Sequence, residues 1–329
     1  GLLKYFTLAQ EEQGLINHKL AEKLRQFPVV HIAHHLGYQG WDYQNTARLL
    51  NSLYEYSTAM VYRNAKPIKN TNPRTQNVLV VYDCFNQASC NFHLADRVVT
   101  VSKNYLEEVS RFLEFGWDFR DVLKIRKDHG TFVGIVNGYD KVKITPSAEK
   151  IKAVNAFFEC TDFVPYDENN LEAKNHNKAE FLKLLGKLSS DKAYKEKKLP
   201  LVEFYKFDDI SGEVKNPAET PMFCATSRMV EQKGYDIAAK SIMKLTEKHK
   251  AATEKVEVPV FVMGGAGDAK YFNYLKKLKD EASKVNPKAA KRIFVFRGYK
   301  DEFAYAIQLA SDFYMMPCRF EPCGLTQME

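Results

Sequence analysis

The sequence of 329 residues has no apolar run near the ~20 residues that a membrane-spanning helix needs. We therefore expect no membrane partner. Its six cysteines form no CxxC pair and no disulfide framework, which favours a reducing compartment and argues against structural zinc. The cluster of His31, His34 and His35 is too tightly spaced for a metal site without nearby carboxylates or cysteines.

The N-terminus lacks both an initiating methionine and the basic and apolar parts of a signal peptide. We therefore expect the sequence to be the interior of a longer chain. A length of 329 residues is typical of two domains, or of one large domain.

The formal net charge of +7 does not by itself indicate a nucleic-acid partner. The lysines are mixed with acidic residues and concentrate between Lys174 and Lys198. Such mixing is more typical of a solvated helical face than of a nucleic-acid groove, so we expect no nucleic acid among the partners. An acidic small ligand is compatible with this charge.

The second half of the chain alternates apolar strands with helical periods from residue 222 onward. Such alternation predicts an α/β fold with a parallel sheet covered by helices on both faces. The predicted strands are 222–225, 258–263, 293–296 and 312–316, and the predicted helices are 235–249, 269–284 and 301–310.

The first half contains fewer clear elements. We predict a helix in residues 8–26, a short buried strand at 29–33 and another strand at 98–101. Ser102 is a candidate N-cap for a helix over 104–113. A possible strand at 78–82, polar loops at 45–77 and a β-branched run at 131–136 complete this half.

The middle of the chain is weakly periodic. We interpret residues 140–170 as connecting loop, 174–185 as a helix and the Lys-rich stretch 189–220 as a solvent-exposed insertion.

The last residues follow an apolar strand and contain Glu321, Pro322 and Gly324. Proline suits the first position of a helix, so we predict a helix beginning at about Glu321. Its free N–H groups could receive an anion or a line of hydroxyls. Glu321 is an odd residue to aim at a phosphate alone and fits a ligand that also carries sugar hydroxyls. An ordinary capped helix with a surface glutamate is the alternative.

Five stretches resemble, in the same order, motifs of the bacterial and plant type glycogen and starch synthases, which are retaining glucosyltransferases of the GT-B fold. His35 and Ser89 depart from the family pattern, which usually has asparagine and lysine there. The five stretches are HHLGYQG (34–40), ADRVVTVS (95–102), GIVNGYD (134–140), SRMVEQKG (227–234) and FEPCGLTQ (320–327).

The resemblance implies two Rossmann-like domains that face a cleft. We expect residues 1–139 to form a partial N-terminal, acceptor-side domain. Residues 140–329 would form the C-terminal domain that binds the nucleotide sugar, with the insertion near 189–220. The family's N-terminal KxGGL loop and its segment after the EPCGLTQ motif are not in this sequence, so we expect little or no transferase activity from it alone.

The implied reaction transfers glucose from ADP-glucose or UDP-glucose to the nonreducing end of an α-1,4-glucan, glycogen or starch, with retention. No cofactor or metal is expected, because the nucleotide sugar is a substrate. The sequence nominates no carboxylate pair of the kind used in double displacement. The implied location is the cytoplasm or a plastid.

The resemblance also implies roles for individual residues. The catalytic candidates are His34, Arg228, Lys233 and Glu321. Arg228 and Lys233 would hold phosphates, since arginine can grip two oxygens and lysine supplies a mobile charge. An ordinary surface pairing of Arg228 with Glu231 is the alternative. The substrate-binding candidates are Asn137, Tyr299, Cys323, Gly324, Leu325 and Thr326.

Two other functions stay open at this point. The departures at His35 and Ser89 are compatible with a catalytically inactive homologue that binds glucan or acts as a scaffold. The second alternative is another GT-B glycosyltransferase that uses a different sugar or acceptor.

Overall fold

The computed structural model describes residues 17–36, 41–42, 80–81, 84–138, 147–167, 169–210, 212–251 and 258–326. The chain divides into two compact units, Gly1–Gly138 and Tyr139–Glu329, which we call unit 1 and unit 2. The predicted loops at 45–77 and the predicted helical residues 8–16 lie outside the described ranges. Within these ranges, no helix has the length and apolar character needed to cross a membrane.

Unit 1 contains a parallel three-stranded sheet in the order β1-β5-β6. A second, antiparallel sheet has the order β2-β4-β3. The strands are β1 (Val30–Ala33), β2 (Trp41–Asp42), β3 (Val80–Val81), β4 (Cys84–Asn86), β5 (Arg97–Thr100) and β6 (Phe132–Gly134). The helices are α1 (His18–Arg25), α2 (Gln87–Leu94), α3 (Lys103–Arg111), α4 (Leu113–Gly116) and α5 (Arg120–Asp128), with a 3-10 turn at Trp117–Phe119.

The predicted N-cap of helix α3, Ser102, is confirmed. The Ser102 side chain accepts a hydrogen bond from the N–H of Tyr105 and so satisfies one of the free donors at the start of α3. Tyr105 and Val109 are buried on the inner face of α3, while Val98 in the central strand β5 is fully buried. The helix ends two residues earlier than predicted, at Arg111.

The first strand forms where the sequence predicts it, but it is not buried along its length. Val30 and Ile32 are 56% and 57% exposed, whereas Ala33 is buried. The reason is the alternation of side chains along a strand, which places Val30 and Ile32 on one face. His31 lies on the opposite face, where its ring is 5.4 Å from that of Phe92.

Unit 2 contains a five-stranded sheet in the order β11-β8-β9-β10-β7. The four strands other than β7 run parallel, which confirms the predicted alternation of strands and helices. Its strands are β7 (Glu203–Tyr205), β8 (Met222–Thr226), β9 (Val260–Gly265), β10 (Ile293–Arg297) and β11 (Phe313–Tyr314). Its helices are α6 (Ala148–Phe158), α7 (Glu172–Ser190), α8 (Lys192–Lys198), α9 (Tyr235–Ala251), α10 (Ala269–Val285), α11 (Pro287–Lys291) and α12 (Asp301–Ala310), with a 3-10 turn at Glu231–Lys233.

The interpretation of residues 140–170 as connecting loop is wrong, because α6 occupies Ala148–Phe158. The side chain of Ser147 accepts a hydrogen bond from the N–H of Lys150 and begins the helix. Ile151, Val154 and Phe158 are buried at helical spacing. This apolar stripe is short, and its buried face becomes clear only once α12 is seen to pack against it.

The interpretation of residues 189–220 as a solvent-exposed insertion is also wrong. β7 extends the sheet by pairing antiparallel with β10, with Phe204 opposite Phe296. Leu199 and Ile210 are 2% and 0% exposed, so the stretch contributes to the core of unit 2. The many lysines in this stretch made it resemble a solvated segment. A lysine can nevertheless cover apolar surface with its aliphatic stem while its charged end reaches water or a partner, so lysines do not exclude a contribution to the core.

The expected solvated lysine face holds only in part. Lys178 on α7 is 2% exposed, and its Nζ lies 2.6 Å from Oδ2 of Asp312. The same Nζ donates to the carbonyl of Thr220 at 3.0 Å. Lys198 is also buried and pairs with Glu159 at 3.0 Å. Lys178 therefore ties α7 to the sheet, and Lys198 ties α8 to the end of α6, so neither side chain faces solvent.

Candidate functional site

The candidate site lies at the edge of the unit 2 sheet where the parallel strands β8, β9 and β10 end. In open parallel sheets this edge is where ligands bind, because the loops after neighbouring strands meet there. A pocket of about 430 Å³ opens at this edge. Its lining includes Arg228 after β8, Gly265 at the end of β9 and Tyr299 after β10, together with Thr326. Three of the sequence-predicted candidates, Arg228, Tyr299 and Thr326, therefore line one pocket.

A second, smaller pocket adjoins the first, because Ser227 and Thr326 line both. Lys233 and Cys318 also line this smaller pocket. Lys233 is thus brought to the same edge of the sheet as Arg228, which is where the resemblance of the SRMVEQKG motif implied that both would lie.

The structure places Lys233 and Glu321 in direct contact. The distance between Lys233 Nζ and Glu321 Oε2 is 2.5 Å, and the two side chains are 16% and 24% exposed. The ammonium group has three N–H donors, so this contact leaves two for other acceptors. Lys233 thus lines the smaller pocket, and Glu321, which lines neither of the two pockets, is held beside it.

The predicted helix does not begin at Glu321. Residues 321–325 are non-helical, and the backbone of Gly324 has a φ of 73°. This left-handed conformation cannot continue a right-handed helix and is readily adopted by glycine. Pro322 and Gly324 are buried, while Cys323, Leu325 and Thr326 are half-buried. Of the four candidates in this segment, Thr326 lines both pockets.

The glycine-rich turn after β9 is shaped by a close approach between two loops. Gly265 has a φ of 150°, and a Cβ on it would lie 1.9 Å from the carbonyl oxygen of Ser227. Met229 N–H donates to Ala266 at 2.8 Å and so pairs the two loops. The glycines therefore let the loop that carries Arg228 lie directly on the loop after β9.

A buried tyrosine that the sequence analysis missed fixes this corner of the pocket. The Tyr235 hydroxyl accepts the N–H of Ser227 at 3.0 Å and donates to the carbonyl of Gly264 at 2.8 Å. Tyr235 is 1% exposed, and burial raises the pKa of its hydroxyl well above the usual value. The hydroxyl stays protonated and links the ends of β8 and β9. The sequence shows this tyrosine only as one apolar position in the period of α9.

The sequence analysis also missed an ion pair that joins the same two chain segments as the Lys233–Glu321 contact. Arg319 donates to Asp236 through two bonds, Nη1 to Oδ1 at 3.0 Å and Nη2 to Oδ2 at 2.7 Å. This fork lowers the pKa of the Asp236 carboxyl. Arg319 directly precedes Phe320 and Glu321, and its position beside the EPCGLTQ motif is the only sequence signal that could have marked it.

The remaining two candidates, His34 and Asn137, belong to unit 1. His34 is exposed directly after β1, and Asn137 is half-buried shortly after β6. Because the strands of this sheet are parallel, both residues follow strand ends at the same edge. Their assignment to the reaction stays a prediction.

The described residues contain no group of three or more histidine, cysteine or acidic side chains that could hold a metal ion. Cys160, Cys224, Cys318 and Cys323 are free thiols. Burial raises the pKa of the Cys318 thiol.

The chain matches a family model described as the starch synthase catalytic domain over residues 14–125. It is 27% identical to a glycogen synthase of Hydrogenovibrio crunogenus over 251 residues, which are 75% of this chain and 40% of the relative. It is 28% identical to glycogen synthase 1 of Methylococcus capsulatus over 320 residues, or 96% of this chain and 50% of the relative. The chain thus spans about half the length of its relatives, or less.

A solved structure matches most of the chain. The catalytic domain of starch synthase IV from Arabidopsis thaliana, bound to ADP and acarbose, aligns with a TM-score of 0.61 and 21% sequence identity. The alignment covers 93% of this chain and 49% of that structure. At this identity the likeness shows the fold, and the predicted α/β fold of the GT-B type is confirmed.

Proposed function

The chain is related to the glycogen and starch synthases, and from this premise we propose that it provides the donor site of such an enzyme. The whole protein would transfer glucose from ADP-glucose or UDP-glucose to the nonreducing end of an α-1,4-glucan, with retention at the anomeric carbon. No cofactor takes part, since the nucleotide sugar is itself a substrate. Its proposed location is the cytoplasm, with a plastid as the alternative.

One observation carries the proposal, the contact of Lys233 with Glu321 beside the pocket lined by Arg228. A diphosphate group needs cations and a sugar ring needs acceptors for its hydroxyls. Arg228 and Lys233 meet the first need, and Glu321 meets the second. The arrangement therefore supports a ligand that carries both groups, which a nucleoside diphosphate sugar does.

The chemistry expected of these residues is electrostatic. When the bond between the sugar and the diphosphate breaks, negative charge grows on the departing nucleoside diphosphate. A well-placed cation in such a site lowers the barrier by roughly 2–4 kcal/mol, judged by comparable groups. Lys233 can donate to Glu321 and to a phosphate oxygen at once, so binding the diphosphate does not require the ion pair to break.

Tyr299 is 59% exposed and lines the larger pocket from the loop after β10, whereas Ser227 lines it from the loop after β8. We assign it to the border of the base pocket. Thr326 lines both pockets and is assigned to the donor together with its neighbours Cys323, Gly324 and Leu325.

The test is incorporation of radiolabelled glucose into glycogen by the longest available polypeptide that contains this sequence, with ADP-glucose and UDP-glucose as donors. The proposal predicts incorporation from at least one donor, and its loss in Arg228→Ala and Glu321→Ala variants that remain folded. Binding of glycogen without incorporation would instead indicate an inactive glucan-binding homologue. Incorporation of another sugar would indicate a different GT-B glycosyltransferase.

A further inference from the structure

Arg319 makes the most extensive set of contacts between the two chain segments at the candidate site. Its two-bond fork to Asp236 has the parallel geometry that makes arginine–carboxylate pairs both strong and directional. Asp236 lies in the first turn of α9, where the helix dipole also favours a negative charge. The two side chains are 37% and 20% exposed, so the pair is only partly screened by water.

Further bonds tie the same segments together. Arg319 Nη1 also donates to the carbonyl of Glu231 at 2.9 Å, and its backbone N–H donates to Gln232 at 2.8 Å. The Gln232 side chain in turn donates to the carbonyl of Phe320 at 3.1 Å. Residues 231–236 and 319–320 are therefore held in a fixed register.

The two segments approach so closely that one position requires glycine. Gly234 has a φ of 63°, and a Cβ placed on it would lie 1.9 Å from the carbonyl oxygen of Pro317. Lys233 stands between Gln232 and Gly234, and Glu321 directly follows Phe320. The contacts of Arg319 therefore surround the point where Lys233 meets Glu321.

From this arrangement we propose that Arg319 is a positioning residue, which acts through Asp236 and Glu231 to hold Lys233 beside Glu321. Within the described part of the chain, Arg319 lines neither of the two pockets that Lys233 and Arg228 line. It thus acts on the ligand through Lys233 rather than by touching it. The ligand-binding part of this inference rests on the proposed donor site.

The decisive experiment is a double-mutant cycle of Arg319→Ala and Lys233→Ala, read by titration of the full chain with ADP in a calorimeter. Each single variant is expected to weaken ADP binding about tenfold or more. If Arg319 acts through Lys233, the double variant binds ADP no more weakly than Lys233→Ala alone. Effects that multiply in the double variant would overturn the proposal.

A matched control separates positioning from general stability. Lys206 and Asp280 form another partly exposed ion pair in unit 2, at 2.5 Å, outside both pockets. Lys206→Ala is expected to leave ADP affinity unchanged.

Two milder variants, Asp236→Asn and Arg319→Lys, lose one or both bonds of the fork. They replace Arg319→Ala in the double-mutant cycle if that variant does not fold.

A second readout needs no nucleotide. Cys318 is half-buried and lines the smaller pocket together with Lys233. If the Arg319–Asp236 pair holds the segments together, Asp236→Ala should increase the rate at which a thiol reagent labels Cys318 by at least fivefold, measured by peptide mass spectrometry. Lys206→Ala should not change this rate.

The two readouts separate the two proposals. If the wild-type chain binds no ADP, the proposed donor site fails, and the labelling of Cys318 alone decides the role of Arg319. A faster rate in Asp236→Ala then supports the positioning role, and an unchanged rate overturns it.

Discussion

Lys233 and Glu321 are 88 residues apart in the sequence, yet Nζ of the first lies 2.5 Å from Oε2 of the second. The contact joins the turn after the first parallel strand of unit 2 to the segment after the last. It brings together two motifs that the sequence analysis had identified separately.

Glu321 is expected to distinguish a nucleotide sugar from a nucleotide. Glu321→Gln keeps the size of the side chain but removes its charge, so hydrogen bonds to sugar hydroxyls weaken, while the phosphate contacts of Arg228 remain. Calorimetric titration should show a loss of affinity for ADP-glucose at least fivefold larger than the loss for ADP. Equal losses for both ligands would show that Glu321 does not contact the sugar.

The Tyr235 hydroxyl is expected to stabilise unit 2. Tyr235→Phe removes a buried hydroxyl and leaves the N–H of Ser227 and the carbonyl of Gly264 without this partner. Because the Ser227 N–H also bonds the Gly264 carbonyl directly, at 3.3 Å, the free energy of unfolding should fall by about 0.5–1.5 kcal/mol, the usual contribution of a hydrogen bond. Urea unfolding measures the change. Tyr274→Phe is the control, because Tyr274 is 41% exposed, and a loss as large there would contradict the assignment.

Whether residues 189–220 belong to the hydrophobic core of unit 2 can be tested with two leucines of this stretch. Leu199 is 2% exposed and Leu201 is 82% exposed, although the two residues are nearly adjacent. Leu199→Ala should lower the free energy of unfolding by about 2–5 kcal/mol, as buried leucines do. Leu201→Ala should change it by no more than about 0.5 kcal/mol. If chemical denaturation shows equal effects for the two variants, this stretch is a surface excursion after all.

The thiols are expected to differ in reactivity with pH. Burial raises the pKa of Cys224 to about 11, whereas Cys160 is exposed. The thiolate is the reactive form, so Cys224 in the folded chain should resist alkylation at pH 8, where Cys160 reacts.

The raised pKa of Cys224 also predicts a pH dependence of stability. Between pH 9 and about 11 the unfolded chain ionises at Cys224 and the folded chain does not, so the free energy of unfolding falls as pH rises through this window. Cys224→Ala should reduce that loss, and labelling of Cys224 as fast as Cys160 at pH 8 would contradict this burial.

Most elements of unit 2 could be predicted because strand and helix periods alternate there without interruption. Between Met222 and Met316, the predicted strands and helices agree with the structure to within a few residues. β7 could not be predicted, because Glu203, Phe204 and Tyr205 form only three residues of strand amid lysines. Their pairing with β10 depends on a contact far along the chain.

The site was predictable only in part for the same reason. Arg228, Lys233 and Glu321 stand in motifs that resemble those of the glycogen and starch synthases, and this resemblance implied their roles. The fork between Arg319 and Asp236 joins residues from two distant segments, and no local pattern marks a charge pair of this kind. The helix expected at Glu321 does not form there. Pro322 suits a helix start in general, but the φ of 73° at Gly324 interrupts the helical backbone two residues later.

The central claim, that Lys233 at the edge of the unit 2 sheet binds the diphosphate of a nucleotide sugar, is tested most directly by calorimetric titration of ADP into the wild-type chain and into Lys233→Ala. Loss of one charge-assisted contact of about 1.5–3 kcal/mol corresponds to a decrease in affinity of about 10- to 150-fold. We expect saturable binding of ADP by the wild-type chain and a decrease in affinity within this range for Lys233→Ala. Equal affinities of the two chains for ADP would contradict it.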